Sequence, residues 1–213
     1  MYMTFKYFIF DWDGTVMDSA AKIVNCMQIA AKQSSLPVPT AKEVEHIIGI
    51  SLKPAIFKLF DIDEQKAEEV VSHYKEAFLA KDTTPCPLFD GAFETLSTLK
   101  QSASLAVATG KARRGLERAW KLTESKHFFD VSRCADEAES KPSSDMLLQI
   151  LTHWNVKAEE VLMIGDTVYD MQMAENIDMP RVAVSYGVHD KEALEKHRPI
   201  KVIDHFSELL SFI

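Results

Sequence analysis

The 213-residue sequence predicts an α/β fold: a Rossmann-like parallel sheet core carrying an inserted, all-helical domain of four helices. Three observations predict it. From Leu88 onward, short apolar runs alternate with helical patterns, which implies right-handed crossovers and a parallel sheet. Nothing between Asp18 and Lys81 reads as a strand, so a helical block separates the first and second strands. The first apolar run, Tyr7 to Phe10, ends in two acids one residue apart. Carboxylates at the carboxyl end of a buried strand point into the crevice where α/β folds bind ligands. The expected domains are residues 1–17 with 84–213 as the core, and 18–83 as the helical insert.

The elements follow in order. After the first strand, Asp11-Trp12-Asp13-Gly14-Thr15 forms a turn, and Thr15 to Ser19 is the exit into the insert. Ile23, Met27, Ala30 and Ala31 repeat at helical spacing, with Ser19 as N-cap. Leu36 to Thr40 breaks that helix, and Thr40-Ala41-Lys42-Glu43 fits a capping box for a short helix to Ile48. Gly49-Ile50-Ser51 is a turn, and Leu52 to Phe60 is a third helix. Asp63 opens the fourth, through Lys81, with Ala67, Val70, Val71, Tyr74 and Phe78 on one face. Pro85 and Pro87 mark the return to the core, and with Thr15 to Ser19 they form the natural hinge. The core then continues with helix 91–101, strand 104–108, helix 112–122, strand 131–133, helix 143–154 and strand 161–164. Helix 167–176, strand 181–184, helix 191–197, strand 201–203 and a last helix complete it.

Composition narrows the function classes. With 46% hydrophobic and 26% charged residues, the chain has the make-up of a soluble globular protein. Its net charge of −8 argues against a nucleic-acid backbone or an anionic membrane as main partner. Lys111, Arg113, Arg114 and Arg118 form a local basic cluster, expected to be a solvated helix face. Cys26, Cys86 and Cys134 lie far apart with no C-x-x-C spacing, so neither a zinc site nor a disulfide framework is expected. A reducing, cytoplasmic location is expected, because no signal-peptide pattern or membrane-length apolar run is present.

Asp11-Trp12-Asp13-Gly14-Thr15 resembles the first motif of the haloacid dehalogenase superfamily, and three further motifs of that family follow in order. Thr109-Gly110-Lys111 follows Leu105 to Ala108, Lys141-Pro142 precedes a helical pattern, and Gly165-Asp166-Thr167-Val168-Tyr169-Asp170 follows Val161 to Ile164. The resemblance covers essentially the whole chain. It implies a helical cap domain over the core and points to the phosphoglycolate phosphatase-like subgroup. Two positions depart from the pattern: Gly110 stands where phosphoglycolate phosphatases commonly carry Asn, and Ser144 where a second proline is frequent.

The residues carry this chemistry in a definite way. A carboxylate attacking phosphorus gives an aspartyl-phosphate and splits hydrolysis into two easier steps. Asp11 is the candidate nucleophile, the role its counterpart has in the family. Asp13, two residues on, points to the same side of an extended backbone. It is the candidate acid/base, and the resemblance makes its main-chain carbonyl a metal ligand. An acid there speaks against dehalogenation. Asp166 and Asp170, four apart at a helix N-terminus, share one face and join Asp11 in a set of hard oxygen donors suited to Mg²⁺. The motifs hold no Cys or His, which disfavours zinc or copper. Thr109 and the Gly110 N–H suit a phosphoryl oxygen, and the family position of Lys141 makes it the cation on Asp11 and the phosphoryl group. Lys53, after the Gly49 turn, is a candidate for a substrate anion or a solvent-facing helix start.

The function expected is a Mg²⁺-dependent phosphatase for a small phosphorylated metabolite, phosphoglycolate among the candidates, as monomer or homodimer. A sugar phosphomutase would use the same aspartate pair while retaining the phosphoryl group. A catalytically silent binding or regulatory module is the third reading.

Overall fold

The structure is a computed structural model describing residues 4–213. The first three residues of the expected core segment lie outside the described residues. Strands β1 (Tyr7–Phe10), β2 (Ser104–Ala108), β3 (Val131–Arg133), β4 (Val161–Gly165), β5 (Arg181–Val184) and β6 (Lys201–Ile203) form one sheet, in the order β3-β2-β1-β4-β5-β6. Every adjacent pair is parallel. The order reverses between β1 and β4, and the crevice at that switch point is where open α/β sheets hold ligands.

Side-chain alternation along these strands builds two layers. Phe8, Phe10, Leu105, Val107, Leu162 and Ile164 face one side, where they meet α5 (Ala92–Leu99) and α6 (Arg113–Thr123). Ile9, Ala106, Ala108 and Met163 face the other, against α7 (Asp145–Trp154) and α8 (Val168–Glu175). Strands covered on both faces need apolar residues at every position, which explains the unbroken runs in the sequence. Trp12 is wholly buried in the first of these layers. Its Nε1–H donates to Met17 Sδ at 3.3 Å, and its ring meets Trp120 edge-on. The last core helix, α9, spans Lys191–Glu195.

The insert comprises α1 (Ala20–Gln33), α2 (Ala41–Glu45), α3 (Leu52–Leu59) and α4 (Glu64–Glu76), packed around an apolar cluster of their own. Thr40 and Glu43 make the expected capping box, and the Asp63 carboxylate accepts the Lys66 N–H at 2.8 Å. Four local expectations differ. Helix α2 stops at Glu45, because the next turn tightens to bonds from Ile47 N to Val44 O and Ile48 N to Glu45 O. After α4 the chain runs into a π-helical turn, Ala77–Lys81, closed by Asp82 N on Ala77 O at 2.9 Å. Ser19 makes no side-chain cap, since its hydroxyl turns to Asp13. The final helix is a 3₁₀ segment, Phe206–Phe212, which buries Phe206, Leu209 and Phe212. Their spacing of three matches three residues per turn rather than 3.6.

The two links between insert and core run side by side. Met17 bridges Leu88 in antiparallel fashion, the Asp18 N–H donates to Pro87 O at 2.8 Å, and the Phe89 N–H donates to Val16 O at 3.1 Å. All three cysteines are free, and no described helix is long and apolar enough to cross a membrane.

Candidate active site

The first acid is fixed by the sheet itself. The Asp11 N–H donates to Ile164 O at 2.9 Å, extending the β1–β4 pairing one residue past β1. Asp166 directly follows β4, so the two carboxylates arrive side by side at the switch point. Asp170 comes from the first turn of α8, which Thr167 caps: the Thr167 side chain accepts the Asp170 N–H, and Asp170 Oδ2 accepts the Thr167 N–H and hydroxyl. Asp11, Asp166 and Asp170 each offer an oxygen within 4.8 Å of the others, and all three are buried.

Lys141, from the loop before α7, closes this cluster. Its Nζ lies 2.6 Å from Asp11 Oδ1 and 2.6 Å from Asp170 Oδ1, with no side-chain exposure. Asp166 is held differently, its Oδ1 accepting the Thr15 hydroxyl at 2.8 Å and its Oδ2 the Val188 N–H at 3.0 Å. Asp11 Oδ2 is buried and has no hydrogen-bond partner.

Burial pushes the Asp11 carboxyl well above the usual carboxylate range; Lys141 pulls it down, while Asp170 and Asp166 raise it. Asp166 is pushed up to about 7, first by burial and then by Asp170. For Lys141, burial disfavours the ammonium, but Asp11 and Asp170 outweigh burial and hold its proton more tightly than usual. With all three ionised, the carboxylates exceed the one ammonium by two formal negative charges in a buried site. All the donors are hard oxygens, so the residues fit Mg²⁺ on charge and on donor type.

Asp13 stands apart from this cluster. Its Oδ1 accepts from the Ser19 hydroxyl and lies 2.9 Å from Lys111 Nζ. That ammonium also sits 5.2 Å from the centre of the Phe78 ring, contributed by the insert. Thr109, at the end of β2, is fully buried and accepts the Lys111 N–H at 3.2 Å. Gly110 is one of the points where insert and core backbones meet closely. A Cβ on it would lie 2.6 Å from the carbonyl oxygen of Gly49 and 2.8 Å from that of Ile50. Gly14, at φ +84°, makes another close approach, since a Cβ there would overlap the Asp166 carboxylate.

Between insert and core lies a cavity of about 610 Å³ whose lining includes Asp11, Asp13, Gly110 and Lys111. Much of the insert's wall is apolar, with Met27, Val71, Tyr74 and Phe78 among its residues. Lys53 lines it too, with its ammonium paired to Glu64 and, at 2.6 Å, to Glu68.

The structure therefore brings Asp11, Asp166, Asp170 and Lys141 together, sets Asp13, Gly110 and Lys53 around the adjoining cavity, and leaves Thr109 fully buried behind its wall. Sequence reasoning missed Lys111, Ser19 and Thr15. The signal for Lys111 was its place directly after Thr109-Gly110, outweighed by its membership of a basic run. That run is not simply a solvated face, since Lys111, Arg114 and Arg118 all line the cavity.

Comparison with known proteins places the sequence and the fold. The family model described as haloacid dehalogenase-like hydrolase matches residues 8–184. A probable phosphatase, IndB, from Dickeya dadantii (strain 3937) is 29% identical over 208 residues, covering 95% of this chain and 90% of the relative. A pyrophosphatase, PpaX, from Bacillus mycoides (strain KBAB4) is 30% identical over 207 residues, covering 96% and 95%. A solved structure of a predicted phosphoglycolate phosphatase from Haemophilus somnus 129pt shares the fold, with a TM-score of 0.88 at 21% identity, covering 97% of this chain and 96% of that one.

Proposed function

The chain belongs to the haloacid dehalogenase-like hydrolases, and from that membership and the acidic cluster we propose a phosphatase that cleaves a small organic phosphate ester through an aspartyl-phosphate. One observation carries this reading: Lys141 fixes one oxygen of Asp11, while the other is buried without a partner. A carboxylate so held has one oriented oxygen free of hydrogen bonds for attack on phosphorus.

In the first step Asp11 Oδ2 forms a bond to phosphorus as the ester P–O bond breaks, and Asp13 gives its proton to the departing oxygen. In the second, Asp13 takes a proton from water, which attacks phosphorus, frees inorganic phosphate and returns Asp11 to the carboxylate. Ser19 and Lys111 both hold Asp13 by its Oδ1, which leaves Oδ2 to carry the proton. Lys141 stays charged throughout, and with Thr109 and the Gly110 N–H it supplies positive potential and donors to the phosphoryl oxygens. Asp11 and Asp166, together with the main-chain carbonyl of Asp13, would hold Mg²⁺, which supplies further charge neutralisation at the phosphoryl group. Asp170 has both oxygens engaged, so it completes the acidic cluster chiefly by positioning Lys141.

The test is release of inorganic phosphate from an aryl phosphate with Mg²⁺, comparing the native chain with Asp11→Asn. Phosphate release that vanishes in the variant supports the reading. Unchanged release in Asp11→Asn, or transfer of the phosphoryl group to a second sugar phosphate in place of release, would refute it.

A further inference from the structure

The cavity holds more positive charge than the phosphoryl site requires. Five cationic side chains line it: Lys53, Lys75, Lys111, Arg114 and Arg118. Lys53 is paired with Glu64 and Glu68, and Lys111 with Asp13. Among the described residues, Lys75, Arg114 and Arg118 have no carboxylate within 4.0 Å. This occurs in a chain with 32 acids and 24 bases, where the neighbouring Arg113 does find Glu137 at 2.6 Å. The nearby acids are already engaged. Asp136 accepts the Arg113 backbone N–H at 2.8 Å, Glu68 is held by Lys53, and Glu117 by Lys126.

The placement is also costly for the helix. Arg114 and Arg118 are like charges four apart on one face of α6. Arg114 further opposes the helix dipole, standing in a first turn that holds no acid. Both arginines and Lys75 are exposed, whereas Asp11 and Asp13 are buried, so the three cations mark the mouth of the cavity and the aspartates its floor. Arg114 to Arg118 alone advances about 6 Å along the helix. The rest of the cavity lining includes the apolar side chains of Met27, Val71, Tyr74 and Phe78.

Resting on the phosphatase reading, we propose that Lys75, Arg114 and Arg118 form a second anion subsite. The ester taken here then carries an apolar body of about ring size and a second negative group, a carboxylate or a phosphate, at its far end. Lys75 comes from the insert and the arginines from the core, so that distal anion is gripped from both sides of the cavity.

The experiment is calorimetric titration of the full chain, with Mg²⁺, against three non-hydrolysable ligands: benzylphosphonate, 4-carboxybenzylphosphonate and the para-xylylene bisphosphonate. The two ligands with a charged tail are expected to bind about tenfold or more tighter than benzylphosphonate at low salt, with the gap narrowing as salt rises. Whichever of them binds tighter identifies the tail as carboxylate or phosphate. In Arg114→Gln/Arg118→Gln, the gap should close to about twofold; should that pair not fold, Arg118→Gln alone should narrow it. Equal affinities in the native chain, or a gap that survives the substitutions, would overturn the subsite. Phosphate release is scored separately on 4-nitrophenyl phosphate. A tail-dependent gap without release would overturn the phosphatase reading and the substrate class with it, while release without a gap would overturn the subsite alone. Failure of all three ligands to bind would overturn both.

Discussion

At the scale of single residues, Lys141 decides whether three buried carboxylates can coexist. Removing one partner of a buried ion pair leaves uncompensated charge, at a cost of about 3–5 kcal/mol. Lys141→Met should therefore lower stability by that order in chelator, measured by denaturant unfolding, and should also abolish phosphate release. Asp11→Asn should remove turnover by on the order of 10³-fold or more, since an amide cannot attack phosphorus. The cluster also sets a pH dependence. Asp166 binds its proton up to about 7 in the fold against an ordinary value of 3.8, so between those values the folded state holds more protons than the unfolded state. Stability without metal must then fall as pH rises through that window. A cation favours the ionised carboxylate and offsets this loss. The gain in Tm from Mg²⁺ should accordingly be larger near pH 8 than near pH 5.5, as thermal melts at about those two values will read. An equal gain at both would remove the metal from this cluster.

At the scale of elements, Gly110 lets the Gly49–Ile50 carbonyls of the insert come close to the end of β2. Gly110→Ala should push that loop off the end of β2, raising KM and costing about 1–3 kcal/mol by overpacking. An unaltered KM with unaltered stability would mean the loop gives way freely. This contact also shows where sequence reading stops. The strands were legible because apolar runs buried on both faces leave an unmistakable pattern, and the acids were legible because they terminate those runs. Gly110 was read only as a phosphoryl contact, because closeness to residues 49 and 50 depends on how two distant segments pack. The pairing of Lys111 with Asp13 was hidden for the same reason, and Lys53 gave no sign that Glu64 and Glu68 would claim it. At the C-terminus, apolar residues at 206, 209 and 212 satisfy a helical pattern loosely and a 3₁₀ pattern closely. The difference is small in sequence and visible only in which side chains are buried.

At the scale of the whole molecule, the proposed mechanism divides the reaction between the acid cluster and Asp13. In that proposal the cluster serves any phosphoryl group, whereas Asp13 serves the leaving oxygen. Asp13→Ala should therefore cost alkyl phosphates far more than activated aryl phosphates, by a further factor of about 10² in kcat, because a good leaving group needs little protonation. Equal losses on both would assign Asp13 a positional role alone.

The paired links at Met17 and Leu88 have one more consequence. Everything between them is a single closed loop whose ends are already pinned together by backbone hydrogen bonds. The entropy of such a loop grows only with the logarithm of its length, by about 0.6 kcal/mol per doubling. The sheet is thus nearly indifferent to how much chain is threaded through that gate. Insertions or deletions within the loop can remodel what the protein admits while the thermodynamics of the sheet stay almost untouched. Selection for a new substrate can therefore work on the insert without disturbing the sheet, even though α6 of the core also faces the cavity.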